Sequence, residues 1–337
     1  MIRGHGDDAY KYKNIRVDFS SNICAHNSHE DLMAHLATLP TLLDHYPEPE
    51  AWSLEKMIAE RHDIAPSNVI VTSGATEAIY LIAQTFRYRP VIPQPTFSEY
   101  ADASRMFTSH ETRGTMLWLC NPNNPTGVAY EQLYLDRMMT EHELVVLDQS
   151  YENYTEAYVT PPQEGCLTPR CIQIHSMTKM YSVPGLRLGY ITAHEHLTEQ
   201  LRHYLRPWSV SSMAIEAGKY LLQHDELLCR PDLAEAQRLR DRLLQIPDVD
   251  VLPTQTNFML CRLSHGTAAE LKDYLATQHG ILIRDASNFR GLTPQHFRIA
   301  AQLPADNDAL VAAISTFTRL QHNCYFNSLP GTSQKFV

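Results

Sequence analysis

A lysine surrounded by hydroxyl side chains is the feature of the sequence most suited to chemistry. The stretch HSMTKMYSVPGLRLGYI, residues 175–191, places Ser176, Thr178 and Lys179 directly after an apolar run, and Arg187 follows eight residues after the lysine. A lysine amine can bond an aldehyde and move protons. Hydroxyls and a guanidinium can bind a phosphate. The spacing therefore predicts a site for a small molecule that carries both groups.

Three other turns bring polar groups to the ends of apolar runs. Ser73-Gly74-Ala75-Thr76 leads into a helical pattern, and the first N–H groups of a helix can hold a phosphate. Taken alone, such a turn is more often an ordinary connection of an α/β unit. NPNNPTG, residues 121–127, is dense in Asn and Pro, and Asp148 ends the run ELVVL with Tyr151 three residues later. A carboxylate that ends a buried strand needs a cation or hydrogen-bond donors.

Pyridoxal 5′-phosphate would satisfy all of these groups together. Its protonated ring nitrogen suits Asp148, and its aldehyde suits Lys179. Its ring oxygen could accept from Asn124 and Tyr151. Its phosphate would lie among a set of backbone and side-chain donors: Gly74, Ala75, Thr76, Ser176, Thr178 and Arg187.

The order and spacing of these motifs resemble the class I and II aminotransferases, which are fold type I pyridoxal-phosphate enzymes, over most of the chain. The resemblance implies that Lys179 bonds the cofactor, that Asp148 pairs with the ring nitrogen and that Tyr151 assists. It adds Phe97, in PQPTFSEY, as the aromatic residue on the cofactor ring. It also adds Tyr46, in LDHYPEPE, as a tyrosine that reaches the phosphate of a neighbouring subunit, which implies a homodimer with shared active sites. Ordinary packing is the alternative for both.

Two arginines near the end of the chain are candidates for binding substrate. Arg298, in HFRIA, matches the arginine with which the family pairs the substrate carboxylate, and Arg284 is a second anion-binding candidate. Two such residues predict a substrate with two anionic groups, such as an amino acid or amine that bears a phosphate. Other candidates have ordinary interpretations as well. Lys179 could be a surface residue, Phe97 a core residue and His5 a residue exposed to solvent.

Four stretches resemble more narrowly the L-threonine-O-3-phosphate decarboxylases of cobalamin synthesis: GHGDD, DFSSNI, PWSVSSMA and IRDASNFRGLTPQHFRIA. This resemblance adds His5 and Asn22 to the substrate-binding set of Arg284 and Arg298. It implies decarboxylation of L-threonine O-3-phosphate to aminopropanol phosphate by a lyase. Histidinol-phosphate aminotransferases share the cofactor motifs and both arginines, so transamination is the alternative. A non-catalytic pyridoxal-phosphate-binding module is a third.

The bond to the substrate Cα that stands perpendicular to the cofactor ring is the one that breaks. The sequence does not fix which bond this is, so it does not decide between decarboxylation and transamination. Two substitutions also depart from the relatives. Gln149 follows the ring-nitrogen aspartate where an acidic residue is usual, and Ala75 stands where a polar residue is common. The segment between Tyr100 and Asn121 is shorter than usual. These departures bear on substrate fit more than on cofactor binding.

Predicted strands and helices, which must position these residues, alternate between about residues 66 and 210. Short β-branched runs separated by helical patterns predict an α/β fold, a mostly parallel sheet between helices, with a smaller α+β lobe. We expect a large pyridoxal-phosphate-binding domain over residues 45–210. The small substrate-side domain would comprise residues 1–44 and 211–323, followed by a weakly structured tail over 324–337.

Composition narrows the function further. Among 337 residues, 28 Lys and Arg stand against 38 Asp and Glu, and the net charge of −10 argues against nucleic-acid or anionic-membrane partners. Seven scattered cysteines without Cys-x-x-Cys spacing predict reduced thiols in a cytosolic protein. The 17 histidines form no His-Glu-x-x-His motif, so no metal site is expected. The polar N-terminus and the absence of a long apolar run predict a soluble, cytoplasmic enzyme.

Overall fold

The computed structural model describes residues 8–24, 29–108 and 114–328. The strands in these ranges are β1 Val17–Asp18, β2 Val69–Thr72, β3 Arg89–Val91, β4 Thr115–Cys120, β5 Leu144–Asp148, β6 Cys171–His175, β7 Gly189–Ala193, β8 Val249–Val251, β9 Phe258–Leu263, β10 Ile281–Leu282, β11 Arg284–Asp285 and β12 His296–Ala300. The α-helices are α1 Glu30–Ala37, α2 Trp52–His62, α3 Gly74–Phe86, α4 Glu99–Phe107, α5 Gln132–Glu141, α6 Pro162–Cys166, α7 Met177–Met180, α8 Glu195–Arg202, α9 Ser212–Leu222, α10 Leu233–Leu243, α11 Ala268–Tyr274 and α12 Pro304–Ser328.

The larger of two compact units, residues 23–124 and 128–231, is built on a six-stranded sheet of order β2-β7-β6-β5-β4-β3. Strands β3 to β6 are parallel, whereas β7 is antiparallel to both of its neighbours. Strands β5, β6 and β7 are buried along their whole length, which explains their continuous apolar runs. The predicted α/β fold with a mostly parallel sheet is confirmed.

The helices on one face of this sheet set the limits of the larger unit. Helices α1 and α9 bury Leu32, Leu36, Ala214 and Ile215 in one core with α2 and β2. The described residues of 23–44, together with 211–231, therefore belong with the sheet, whereas the sequence placed the boundaries at 45 and 210. Their apolar faces pack into this core. The periodicity of a helix does not say which layer of the fold it covers.

The smaller unit comprises residues 125–127 and the described residues before 23 and after 231. It holds an antiparallel sheet of order β11-β12-β9-β8 and a parallel pair, β1 with β10. Phe19, Leu239, Phe297 and Leu310 lie in its core. Helix α12 continues to Ser328, so residues 324–328 of the expected tail are helical, and the rest of that segment lies outside the described residues.

Cys24 and Cys229 are joined by a disulfide, with their Cα atoms 6.1 Å apart. The expectation that every cysteine is a reduced thiol is therefore wrong for this pair. Cys120, Cys171 and Cys261 are buried free thiols, as expected. Sequence spacing could not reveal the bond, because the two cysteines lie 205 residues apart and flank no common motif.

Along the described ranges, no helix combines the length and the apolar character needed to cross a bilayer. The same residues include no group of three His, Cys, Asp or Glu side chains that could hold a metal ion.

Candidate active site

Asp148 ends β5, and its side chain is buried. Its carboxylate accepts hydrogen bonds from the Tyr100 hydroxyl at 2.6 Å and from the backbone N–H and hydroxyl of Ser150 at 3.0 and 2.5 Å. Burial raises the pKa of Asp148, and these donors offset only part of that effect. A cationic group beside the carboxylate would stabilise its charged form, which is what a protonated ring nitrogen provides.

Lys179 lies on α7, the short helix that directly follows β6. Its backbone N–H donates to the Ser176 carbonyl at 3.1 Å, and its carbonyl accepts from the Tyr154 hydroxyl at 3.0 Å. Its Nζ lies 6.0 Å from the centre of the Tyr151 ring. Strands β5 and β6 are parallel and adjacent, so Asp148 and the Lys179 turn emerge at the same edge of the sheet.

Part of the expected phosphate-binding set lies around the start of α3. A cavity of about 660 Å³ is lined by Thr76 and Arg187, among other residues of the larger unit. Ser176 and Thr178 are buried close by in sequence to Lys179, and the Thr178 hydroxyl has no hydrogen-bond partner among the described residues. A buried hydroxyl without a partner is costly, so Thr178 fits a group supplied by a ligand.

Gly74 allows the helix and the arginine to approach each other. It begins α3 with φ +80°, and a Cβ there would lie 2.7 Å from Arg187 Nη2. Only glycine meets both conditions without strain. Ala75 and Thr76 continue the first turn, so the positive end of a 13-residue helix lies beside a guanidinium group. This arrangement is suited to an anion such as a phosphate.

The Asn-rich turn after β4 is held against the segment that carries Phe97. Asn123 Oδ1 accepts from the Thr96 hydroxyl at 2.8 Å, and the neighbouring Asn124 is buried. The Phe97 ring meets Tyr100 edge to face, with 5.8 Å between ring centres. Sequence-predicted cofactor residues from two separate motifs thus lie in one neighbourhood.

Tyr46 does not join this cluster within one chain. Its side chain is 86% exposed, and its ring lies 5.7 Å from the ring of Trp208, which is itself half-exposed. It lines a small surface pocket with Ser212 and Glu216, separate from the cavity at Arg187. A role toward a neighbouring subunit stays a prediction.

Arg284 and Arg298 stand directly opposite each other on the antiparallel pair β11 and β12 of the smaller unit. Both side chains are buried. Arg284 Nη2 donates to Asn288 Oδ1 at 2.8 Å, and Arg298 Nη2 donates to the Ser20 carbonyl at 2.5 Å. Burial and the charge of Arg298 lower the pKa of Arg284 to about 10. In the described part of the chain no carboxylate pairs with Arg284, so this guanidinium group is suited to an anionic ligand.

Asn22 also belongs to the smaller unit, and its amide is buried with neither atom hydrogen-bonded to a described residue. His5 lies outside the described residues. The chain shortly after it is fixed by a buried ion pair, because both oxygens of Asp8 accept from Lys272 Nζ at 2.7 Å. Asp8 is therefore tied to α11 of the same unit.

The sequence alone missed Tyr100 and Ser150, the two donors to Asp148. Tyr100 lies on the buried face of α4, and a buried tyrosine normally finds a partner for its hydroxyl. Ser150 lies two residues after Asp148, the spacing of a local turn in which an aspartate accepts from the backbone. Either signal indicates a hydrogen bond, but only the fold shows that Asp148 is the acceptor from Tyr100.

The sequence and the fold of this chain are similar to those of several known proteins. The family profile described as aminotransferase class I and II matches residues 107–314. Threonine-phosphate decarboxylase of Salmonella typhimurium (strain LT2) is 28% identical over 88% of this chain and 90% of its own. Histidinol-phosphate aminotransferase of Thermoanaerobacter sp. (strain X514) is 28% identical over 79% and 82%. The crystal structure of L-threonine-O-3-phosphate decarboxylase from Porphyromonas gingivalis is similar with a TM-score of 0.84 and 36% identity, covering 90% of this chain and 99% of that one.

Proposed function

The chain belongs to the class I and II aminotransferase family of pyridoxal 5′-phosphate-dependent enzymes, and on that premise we propose that it decarboxylates L-threonine O-3-phosphate to aminopropanol phosphate. The observation that carries the proposal is the buried pair of Arg284 and Arg298. Threonine phosphate has two anionic groups, a carboxylate and a phosphate, and a guanidinium fork matches either of them. One substrate would thus give an anion to each arginine.

Transamination is the second candidate, because the Thermoanaerobacter aminotransferase matches the 28% identity of the Salmonella decarboxylase, although over 79% rather than 88% of this chain. Histidinol phosphate carries a phosphate but no carboxylate. As a substrate it would give an anion to one of the two arginines, whereas threonine phosphate would give one to each. Membership of this enzyme family sets aside the non-catalytic binding module expected as a third possibility.

The larger unit has the groups that this cofactor needs. Its phosphate would lie against the first turn of α3, the Thr178 hydroxyl and the Arg187 guanidinium, where Thr178 now lacks a partner among the described residues. The remaining contacts follow the motifs: Ser176 to the phosphate, Asn124 and Tyr151 to the ring oxygen, and Phe97 against the ring face.

When bound, pyridoxal 5′-phosphate supplies an electron sink for the pair left at the substrate Cα. Asp148 would hold a proton on the ring nitrogen, since the cation there offsets the desolvation of its carboxylate. Tyr100 and Ser150 orient that carboxylate. Lys179 would bond the aldehyde in the resting enzyme and, once displaced by substrate, deliver a proton to Cα through Nζ.

We also propose a homodimer. Tyr46 and Trp208 form an exposed aromatic pair on the larger unit, and Leu43 close by in sequence is 81% exposed. Exposed apolar surface of this kind is typical of protein interfaces. The cytoplasmic location expected from the sequence stays a prediction.

A product analysis tests the proposal. Purified enzyme with pyridoxal 5′-phosphate and L-threonine O-3-phosphate should release carbon dioxide and aminopropanol phosphate without any keto acid. Lys179→Ala should lose this activity, and Arg284→Gln should weaken it through a higher KM. Arg262→Gln is the matched control, because Arg262 lies on the same sheet but is half-exposed and pairs only at the surface with Asp250. Transfer of the amino group to a keto acid without carbon dioxide would replace the proposal with the aminotransferase reading.

A further inference from the structure

A chain of buried hydrogen bonds behind the Lys179 turn leads to His175. The carbonyl of Thr160 accepts from the side-chain amides of Gln149 and Gln173 at 2.8 and 2.7 Å. A carbonyl cannot donate, so both amides must present nitrogen to Thr160. Gln173 then presents its oxygen to Thr192, whose Oγ1 lies 3.1 Å away. The single hydrogen of the Thr192 hydroxyl is therefore donated to Gln173.

The same bookkeeping of hydrogens continues onto the His175 ring. Since the hydroxyl of Thr192 has already used its hydrogen, it can only accept from His175 Nε2, which is 2.9 Å away. Nδ1 faces the carboxylate of Glu152 at 3.0 and 3.2 Å. A ring nitrogen that faces a carboxylate at these distances is the donor of the contact, so Nδ1 carries hydrogen as well. Both ring nitrogens therefore carry hydrogen, and His175 is a buried cation paired with Glu152.

Among the described residues, two titratable rings lie next to the His175 ring, and one further carboxylate interacts with it electrostatically. Tyr190 of β7 stacks on His175 with 4.5 Å between ring centres, and burial raises the pKa of Tyr190. His62 of α2 lies 6.1 Å away, and burial with the His175 charge lowers the pKa of His62 to about 4. Asp148 of β5 is this carboxylate. Burial raises its pKa, and the His175 charge acts in the opposite direction.

We propose that His175 is a positioning residue whose fixed positive charge ties the Tyr151 turn to the strand before Lys179 and stabilises the Asp148 carboxylate. Glu152 directly follows Tyr151, and His175 directly precedes Ser176. The ion pair therefore joins the turn with the ring-oxygen ligand to the turn with the lysine. This inference rests on the proposed placement of the cofactor beside Asp148, but not on which substrate is used.

Variants of the holoenzyme test the role of the charge. In His175→Gln the loss of a cation should make neighbouring groups hold their protons to higher pH. The pH midpoint of the visible absorbance of bound cofactor should therefore rise by about one unit, roughly tenfold in proton affinity. His175→Arg keeps the positive charge and a donor for Glu152, so its midpoint should equal that of the wild-type enzyme. His62→Gln is the matched control, since it alters the same stack of rings without removing a charge.

A measurement on the unaltered chain covers the case in which His175→Gln fails to fold. With histidine labelled by 15N, the nitrogen shifts of His175 should show both ring nitrogens protonated at pH 8, with or without cofactor. A single protonated nitrogen would overturn the proposal. So would equal midpoint shifts in His175→Gln and His62→Gln. Neither experiment uses threonine phosphate, so a failure of the His175 proposal is distinguishable from a failure of the proposed reaction.

Discussion

Tyr100 and Asp148 are joined by a buried hydrogen bond of 2.6 Å, although they lie 48 residues apart in the chain. The Tyr100 ring is fixed by stacking on Trp118, with 5.2 Å between ring centres. The carboxylate is thus oriented by a rigid side chain from another element. Such preorganisation spares the site from reordering when a ligand binds.

Replacing Tyr100 with phenylalanine removes one donor from a buried carboxylate. A hydrogen bond to a charged group contributes about 1.5–3 kcal/mol, so we expect cofactor affinity to fall at least about tenfold. Absorbance titration of pyridoxal 5′-phosphate into the cofactor-free protein measures this. Tyr130→Phe is the control, because Tyr130 is a partly buried tyrosine stacked on Tyr134 rather than bonded to Asp148. Equal affinities in the two variants would contradict the role of Tyr100.

Arg284→Gln should separate stability from binding. It removes one of two buried like charges while keeping a donor for Asn288. We expect the substrate-free protein to gain up to about 1 kcal/mol in unfolding free energy, as is usual when a strained functional charge is neutralised. KM for threonine phosphate should rise roughly 10- to 100-fold, from the loss of a charged hydrogen bond of about 1.5–3 kcal/mol. Urea denaturation and steady-state kinetics provide the two readouts. A variant that is less stable and binds normally would show that Arg284 is structural.

His62 should make the protein less stable in mild acid. Its pKa in the native state is lowered to about 4 by burial, whereas the unfolded chain has the ordinary value of 6.5. Between these values the unfolded chain binds a proton that the native state does not, so unfolding free energy falls as pH drops from about 6.5 toward 4, by roughly 2–3 kcal/mol. Urea denaturation at pH 7.5, 6 and 5 measures the slope. His62→Gln should flatten it, and an unchanged slope in this variant would assign the effect to other groups.

The Cys24–Cys229 disulfide should stabilise the larger unit. It closes a loop of 205 residues, for which chain entropy gives about 5 kcal/mol as an upper estimate. The Cys229 backbone N–H donates to the carbonyl of Met180, next to Lys179, so loss of the bond should also loosen the lysine turn. A reducing agent should lower the melting temperature, and Cys229→Ser should remove that response. Recovery of both cysteines as free thiols in untreated protein would refute the bond.

Local patterns were enough to predict the strands that carry the site. The apolar runs that precede Asn121 and Ser176, and the run ELVVL that Asp148 ends, form β4, β6 and β5. A strand buried on both faces must be apolar throughout, so its limits are visible in one dimension. The polar residues that end these strands then meet at one edge because the strands are parallel.

Contacts between segments that are far apart in the chain could not be predicted from local patterns. The reversed direction of β7 depends on the path of the chain after α7, and an apolar run has no direction. The Cys24–Cys229 bond and the Tyr100–Asp148 hydrogen bond join distant segments, and so does the packing of α1 on α9. Each depends on three-dimensional packing that residue type and spacing do not encode.

The measurement that tests the account most directly is mapping of the covalent attachment site. Holoenzyme reduced with borohydride and digested with protease should carry the reduced phosphopyridoxyl group on the peptide that contains Lys179. Lys179→Ala should show no labelled peptide and no borohydride-sensitive visible absorbance. A label on another lysine, such as Lys219, or no label on fully cofactor-bound protein, would contradict the account.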